Sequence, residues 1–107
     1  MTSNNSVYER IRASARLRFG NGLHLLKFQA MGTECRVSYT AKSSAAARYC
    51  GDEIVSWVAG FEARYSRFLP DSLISRINQK AGTEWVLLNE EDERIIGMCQ
   101  EMHFFTR

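Results

Sequence analysis

Two short segments of the sequence hold residues that could contact a flat ligand. The first is AMGT, where Met31 offers a polarizable side chain beside Gly32, a residue that lets the backbone approach closely. The second is SRFLPDS, where Phe68 precedes Pro70. An aromatic ring at a helix end can stand against a flat heterocycle. Taken alone, however, these residue types favour packing in the core over ligand binding.

Other catalytic or metal-binding patterns are weak. The sequence has no Walker loop, dinucleotide-binding glycine pattern, zinc-protease helix or nucleophile elbow. His24 and His103 lack acidic neighbours at metal-ligand spacing, so we predict packing or surface roles for them. The acidic run NEEDE (89–93) could hold a cation, but acids at a helix N-terminus usually form a solvated face. We therefore assign no catalytic residue and no metal ligand within the chain.

The three cysteines, Cys35, Cys50 and Cys99, are odd in number and widely spaced. No C-x-x-C or zinc pattern is present, which argues against a disulfide scaffold and favours a reducing compartment. We predict that they are small, mostly buried hydrophobic side chains.

The hydrophobic pattern predicts two strands around Met31. Asn21-Gly22 is a turn signal, and the segment LHLLKF (23–28) after it predicts a strand. The segment ECRVSYTA (34–41) alternates with a period of two, which predicts a half-buried strand. Its inward side holds Cys35, Val37, Tyr39 and Ala41. The sequence leaves open whether the two segments pair or form one bent strand.

A long helix is predicted over 42–68, with Ser43 or Ser44 as its N-cap. Pro70 lacks a backbone N–H and disfavours the α conformation at Leu69, so the helix should end near Phe68. Apolar residues at three- and four-residue steps predict one packing stripe. Its members are Ala47, Cys50, Ile54, Val58, Phe61, Tyr65 and Phe68.

Shorter elements follow the long helix. Asp71 or Ser72 can cap a short helix through Asn78, EWVLL (84–88) predicts a strand, and Asn89 can cap a last helix. The order β-β-α-α-β-α predicts an α+β fold. The sequence ends inside a helical pattern with no cap after Arg107, so we expect an incomplete domain.

Composition limits the class of protein. The 107 residues, 45% hydrophobic and 24% charged, are typical of a single soluble globular domain. A net charge of +2 is too small to indicate nucleic-acid binding. No apolar run approaches the roughly 20 residues of a membrane helix.

Residues 1–22 are rich in arginine and hold one acid, Glu9. We interpret them as a basic N-terminal arm, although a transit peptide or a short basic helix would have the same composition. Neither a secretory signal nor a cysteine for lipid attachment is present near the start. The sequence therefore predicts a cytoplasmic protein, with membrane or envelope association less favoured.

Several features, in this order and spacing, resemble the N-terminal part of the FAD:protein FMN transferase (ApbE) family. They are Met31-Gly32-Thr33 in an early strand, a long helix, the pattern Ser-x-aromatic-x-x-Asp-Ser at Ser66, Phe68, Asp71 and Ser72, then Arg76 and Asn78. The similarity runs from about residue 25 to residue 107. In the family, the last helix leads into a Gly-Ala-Phe-Asp-like motif.

The resemblance implies an enzyme that binds FAD with a divalent metal, usually magnesium. Such enzymes transfer the FMN half of FAD to a threonine hydroxyl of an acceptor flavoprotein and release AMP. Met31 matches the family's flavin-contacting Met, and Phe68 falls where many members have Tyr, another FAD contact. The family's metal ligands follow the Gly-Ala-Phe-Asp motif, so the Mg²⁺ ligands are expected beyond residue 107. The resemblance thus implies that residues 23–107, after the basic arm at 1–22, are the N-terminal part of a flavin transferase domain, inactive alone.

Other functions stay open at this point. One is a flavin-binding or flavin-trafficking module, or an FAD pyrophosphatase, without transferase activity. Another is a small interaction protein that uses the basic arm on an acidic or membrane surface. The acceptor protein and the oligomeric state are not set by the sequence.

The expected truncation makes a prediction about the purified 107-residue chain. Apolar surface that later strands would cover should be exposed, so the chain should bind a hydrophobic dye or self-associate. Dye fluorescence and size-exclusion chromatography measure this. A monodisperse monomer that melts cooperatively and binds no dye would contradict the truncation hypothesis.

Overall fold

A computed structural model describes residues 4–106 and the side chains of residues 6–103. These residues form the helices α1 (Asn4–Ser14), α2 (Ser44–Tyr65), α3 (Leu73–Lys80) and α4 (Glu90–Thr106). They also form the strands β1 (Arg16–Gly20), β2 (Leu23–Ala30) and β3 (Thr33–Tyr39). The strands make one antiparallel sheet in the order β1-β2-β3. The α+β class is confirmed, whereas the observed element order is α-β-β-β-α-α-α.

Two tight turns join the three strands. Asn21 and Gly22 have φ of 54° and 77°, and Met31 and Gly32 have φ of 52° and 74°. Positive φ at both central positions is typical of type I′ turns, whose twist matches that of paired antiparallel strands. The strand segments on either side of Met31 therefore pair with each other, which answers the question that the sequence left open.

The core lies between the sheet and the helices α1 and α2. Alternate residues of β2, from His24 to Ala30, are buried on one face of the sheet. The buried apolar residues packed together there are Val7, Ile11, Leu26, Phe28, Ala30, Val55 and Ala59. The ring of His24 lies 4.7 Å from that of Phe19 and 5.8 Å from that of Tyr39. The predicted packing role of His24 is confirmed.

Helix α2 packs through a face of mostly small residues. Its buried residues are Ala47, Gly51, Val55, Ala59 and Glu62. The predicted packing stripe is therefore not the buried face of α2. Of its members, Ala47 is buried, Phe68 is exposed and the other five are half-buried. Small side chains let α2 approach the sheet closely: a Cβ on Gly51 would lie 3.1 Å from the Tyr39 hydroxyl. The buried face was therefore set by the need for close approach, not by the largest apolar residues.

The interpretation of residues 1–22 as an arm is wrong for their described part, which forms α1 and β1; a short helix was among the alternatives that the composition allowed. Val7 and Ile11 of α1 are 2% and 0% exposed and belong to the core. They stand four residues apart, so they share one helix face and cover the inner side of the sheet. The arginine content concealed this apolar pair. Deleting the described part of residues 1–20 would therefore remove core side chains and disrupt the fold.

The prediction of a strand at 84–88 is also wrong. The structure has no strand there, and the side chains of Trp85 and Leu87 are 99% and 93% exposed. The β-forming residue types are present, but the described sheet offers this segment no partner. A strand without a partner leaves its backbone groups unpaired and gains no stability.

Two smaller expectations also need correction. Helix α2 ends at Tyr65, earlier than Phe68, because Ser66 has extended backbone angles. Cys35 and Cys50 are partly buried, but Cys99 is exposed, so the prediction of a buried side chain is wrong for Cys99. All three thiols are free, as predicted.

The placement of α1 in the core can be tested with Ile11→Ala. Removing a fully buried side chain should lower the free energy of unfolding by about 2–4 kcal/mol. Glu9→Ala, an exposed change on the same helix, should alter it by less than about 0.5 kcal/mol. Urea denaturation of the three proteins measures the difference. Equal stability of the two variants would show that α1 does not pack as described.

Candidate functional site

A cleft of about 430 Å³ opens where α1, the β2–β3 turn and the end of α2 meet. This size lies within the usual range of small-molecule sites, about 300–1,000 Å³. It is lined by Arg10 of α1, Met31 and Gly32 of the turn, Phe61, Glu62 and Tyr65 of α2, and the segment 66–69.

Both residues singled out from the sequence, Met31 and Phe68, line this cleft. Met31 is 49% exposed and Phe68 is 80% exposed, so the interpretation of either as a core residue is wrong. Met31 lies at the tip of the β2–β3 hairpin, and Phe68 lies in the loop after α2. The described residues bury neither side chain. Contact with a flavin stays a prediction for both.

The wall of the cleft is aromatic, with cationic groups beside it. The rings of Phe61 and Tyr65 are tilted against each other with centroids 4.8 Å apart. The guanidinium carbon of Arg67 lies 4.7 Å from the centre of the Phe68 ring, a cation–π contact. Arg10 adds a second guanidinium. Aromatic surface next to guanidinium groups suits a flat ring that carries an anionic group.

The segment that carries Phe68 is fixed by the start of α3. Ser72 is 1% exposed and caps α3, because its hydroxyl accepts a hydrogen bond from the Ser75 backbone N–H at 3.1 Å. The Ser75 hydroxyl donates to the Arg67 carbonyl at 3.0 Å. Of the two predicted caps, Ser72 is therefore the one observed. Asp71 and Asn78 are exposed and do not line the cleft.

Sequence reasoning missed the buried carboxylate of Asp92. It is 0% exposed and accepts hydrogen bonds from Arg64 Nε at 2.7 Å and from the Tyr65 hydroxyl at 2.6 Å. The acidic run was predicted to be a solvated face, which is wrong for this residue. The backbone N–H of Asn89 donates to Asp92 at 2.9 Å, and that of Asp92 to Asn89 at 2.8 Å, which is a capping box. The spacing Asn-x-x-Asp could have predicted this capping box. No pattern in the sequence could have predicted the contact of Asp92 with α2.

This network fixes the charge states of its members. The hydrogen bonds from Arg64 hold the pKa of Asp92 well below its usual range. The same contact raises the pKa of Arg64. Burial, and next the hydrogen bond to Asp92, raises the pKa of Tyr65. Tyr65 therefore stays neutral at physiological pH with its hydroxyl engaged, and offers the cleft a ring rather than an acid or base.

Glu62 is the second buried acid that sequence reasoning missed. It is 4% exposed, accepts a hydrogen bond from the Met31 backbone N–H and pairs with the guanidinium of Arg10. No signal in the sequence marked it, because the predicted packing stripe lay on a neighbouring face of α2.

Within residues 4–106 no group of three or more His, Cys, Asp or Glu side chains could hold a metal ion. The Mg²⁺ implied by the resemblance thus has no fitting ligand set in this part of the chain, and its placement beyond residue 107 stays a prediction. None of the helices described is long and apolar enough to cross a membrane.

Comparison with known proteins gives one match. The profile of the ApbE family matches residues 31–106, a range that includes Met31 and Phe68 and leaves out α1 and β1. No curated protein and no solved structure is significantly similar to the chain.

The Asp92 network makes a prediction about stability. Asp92→Asn should lower the free energy of unfolding by about 3 kcal/mol, because it leaves Arg64 without its buried partner. Asp52→Asn is the matched control, since Asp52 pairs with Arg12 and both side chains are 54% exposed. An exposed pair contributes less than about 1 kcal/mol. Urea denaturation at pH 7 should separate the two variants, and equal losses would contradict the buried network.

The same network predicts a dependence on pH. The pKa of Asp92 is lower in the folded protein than its unfolded value of about 3.9, so its contribution is present at neutral pH. That contribution is lost as the pH falls below about 4 towards the folded-state pKa, because the unfolded state then binds the extra proton. Between pH 5 and pH 2, Asp92→Asn should therefore lose less stability than the wild type. Parallel acid-unfolding curves would contradict this.

Proposed function

The chain belongs to the ApbE family, and we propose that the protein transfers the FMN half of FAD to a threonine hydroxyl of an acceptor flavoprotein. Family membership supports a flavin-related function. One observation carries the finer proposal: the two residues that match the family's FAD contacts, Met31 and Phe68, line the same cleft and are exposed in it.

The proposed reaction is a phosphoryl transfer. The threonine oxygen attacks the phosphorus of the FMN half, a new P–O bond forms, and the pyrophosphate P–O bond breaks. AMP leaves with the electron pair of that bond, and the threonine proton is released. When bound, Mg²⁺ would neutralise pyrophosphate charge, and much of the acceleration in such reactions comes from positioning.

The contribution of this part of the chain is to bind and orient the substrate. Met31 and the Phe68 ring would pack against flat rings of FAD, and excluding water there strengthens nearby electrostatic contacts. Arg67 places positive charge at the cleft, where it would attract phosphate oxygens, whereas the charge of Arg10 is paired with Glu62. A bound substrate held in one orientation needs less rearrangement to react.

A second candidate is a flavin-binding module, or an FAD pyrophosphatase, without transferase activity. The binding module is favoured by the state of the acid in the cleft: Glu62 is already engaged by Arg10 and by the Met31 N–H. The described cleft residues therefore support binding more directly than proton transfer.

The products of the reaction distinguish these functions. FAD, Mg²⁺ and an acceptor flavoprotein are incubated with the 107-residue chain and with a chain extended by any residues encoded after Arg107. AMP together with covalent FMN on the acceptor threonine would establish the transferase. AMP with free FMN would indicate the pyrophosphatase, and FAD binding without AMP would indicate the binding module.

The role of Phe68 can be tested by substitution. Phe68→Ala should weaken FAD binding about tenfold or more, because it removes an aromatic face and its contact area. Phe68→Tyr should be neutral or better, since it restores the residue that many relatives carry. Titration by flavin fluorescence measures the affinities, and Met31→Ala should weaken binding in the same way.

Thermal melts of these variants separate binding from folding. Phe68 is 80% exposed, so Phe68→Ala should change stability by less than about 1 kcal/mol. Tyr49→Ala, which alters an exposed aromatic side chain of α2 outside the cleft, is the matched control and should leave FAD affinity unchanged. Unchanged FAD affinity in Phe68→Ala, or an equal loss in Tyr49→Ala, would refute the site assignment.

A further inference from the structure

The backbone at Met31 adopts a conformation that its residue type disfavours. With φ of 52° it lies in the left-handed region, which is uncommon for a residue with a long side chain. The other hairpin turn uses Asn21-Gly22, a sequence that adopts this geometry readily. The turn at Met31 is therefore less favoured by its own residues, and an interaction from outside the hairpin would stabilise it.

Glu62 supplies that interaction. Its carboxylate, on the last turns of α2, accepts the hydrogen bond of the Met31 backbone N–H through Oε1. A hydrogen bond to an ionised acceptor is stronger than one between neutral groups. Because the N–H that donates belongs to the residue with the disfavoured φ, the contact acts directly on the strained position.

Arg10 makes the burial of this carboxylate tolerable. Glu62 is 4% exposed, and an unpaired charge at such a place would be strongly unfavourable. The Arg10 guanidinium pairs with the other oxygen, Oε2. One carboxylate thus joins α1, the β2–β3 turn and α2, which are the elements that surround the cleft.

We propose that Glu62 is a positioning residue, which holds the Met31 side chain over the cleft so that it can pack against a flat heterocyclic ligand, with Arg10 as its charge partner. The proposal rests on the function proposed above in taking Met31 as a ligand contact. The contact between Glu62 and the Met31 N–H can be examined without any ligand, so the two proposals can fail separately.

The first measurement needs no ligand. In the 107-residue chain, Glu62→Leu should make the Met31 amide hydrogen exchange with solvent at least tenfold faster, whereas amides of the β1–β2 turn should be unaffected. Glu62→Gln should keep an acceptor oxygen and much of the protection. The Met31 amide peak in a ¹H–¹⁵N spectrum should nevertheless shift, because the acceptor loses its charge. If Glu62→Leu does not fold, the shift of the Met31 amide peak in Glu62→Gln tests the contact instead. An unmoved peak overturns the proposal.

Arg10 and Arg12 provide a matched pair of arginine variants. Their side chains are 53% and 54% exposed, and Arg12 pairs with the exposed Asp52. Arg10→Ala should accelerate exchange of the Met31 amide severalfold, and Arg12→Ala should leave it unchanged. Equal effects of the two substitutions would overturn the role of Arg10.

The final experiment links the positioning to binding by a double-mutant cycle. FAD affinity is measured by flavin fluorescence for Glu62→Leu, Met31→Ala and the double variant. If Glu62 acts through Met31, Glu62→Leu should weaken binding about tenfold in the wild type and less than twofold when Met31→Ala is already present. Independent, additive losses would overturn the proposal. If neither the 107-residue chain nor the extended chain binds FAD, the FAD-dependent function fails, and the exchange of the Met31 amide alone decides whether Glu62 holds the turn.

Discussion

The close approach of α2 to the sheet determines where the other elements lie. Small residues recur every fourth position on its buried face, and at Gly51 the space is limited by the Tyr39 hydroxyl, which donates to the Ala47 carbonyl at 2.6 Å. Larger side chains there would push the helix away from β2. The same face continues to Glu62, so the packing that forms the core also brings this carboxylate to the Met31 turn.

The end of α2 is held by two buried carboxylates. Glu62 joins it to α1 and to the hairpin, and Asp92 joins it to the start of α4 through Arg64 and Tyr65. Each burial is compensated by an arginine and by further hydrogen bonds, as buried charges require. Glu62 and Tyr65 line the cleft, and the polar contacts of both side chains hold this wall in place.

Among the described residues, several large apolar side chains after α3 are exposed. Trp85, Leu87, Met98 and Met102 are between 63% and 99% exposed. Large apolar side chains gain stability only when covered, so these positions contribute little to the described core. Arg10 lines the cleft although it precedes residues 31–106, the range matched to the family. Residues before the matched range therefore contribute to the site.

The sequence by itself determined the local structure and the two contact candidates. Period-two alternation predicted the half-buried strand, Ser43, Ser72 and Asn89 acted as caps, and Pro70 marked the break before α3. These features are local, since each depends on neighbours within a few residues. The order of the Met31 and Phe68 motifs also led to the family that the comparison confirmed.

Only the tertiary structure decided the features that depend on distant partners. Val7 and Ile11 became core residues because a sheet lay beside them, and 84–88 stayed irregular because no strand did. Glu62 and Asp92 looked like ordinary surface acids in the sequence, since the arginines that compensate their burial come from other elements. The physical reason is the same in each case: burial and charge pairing are set by three-dimensional neighbours, which local patterns do not encode.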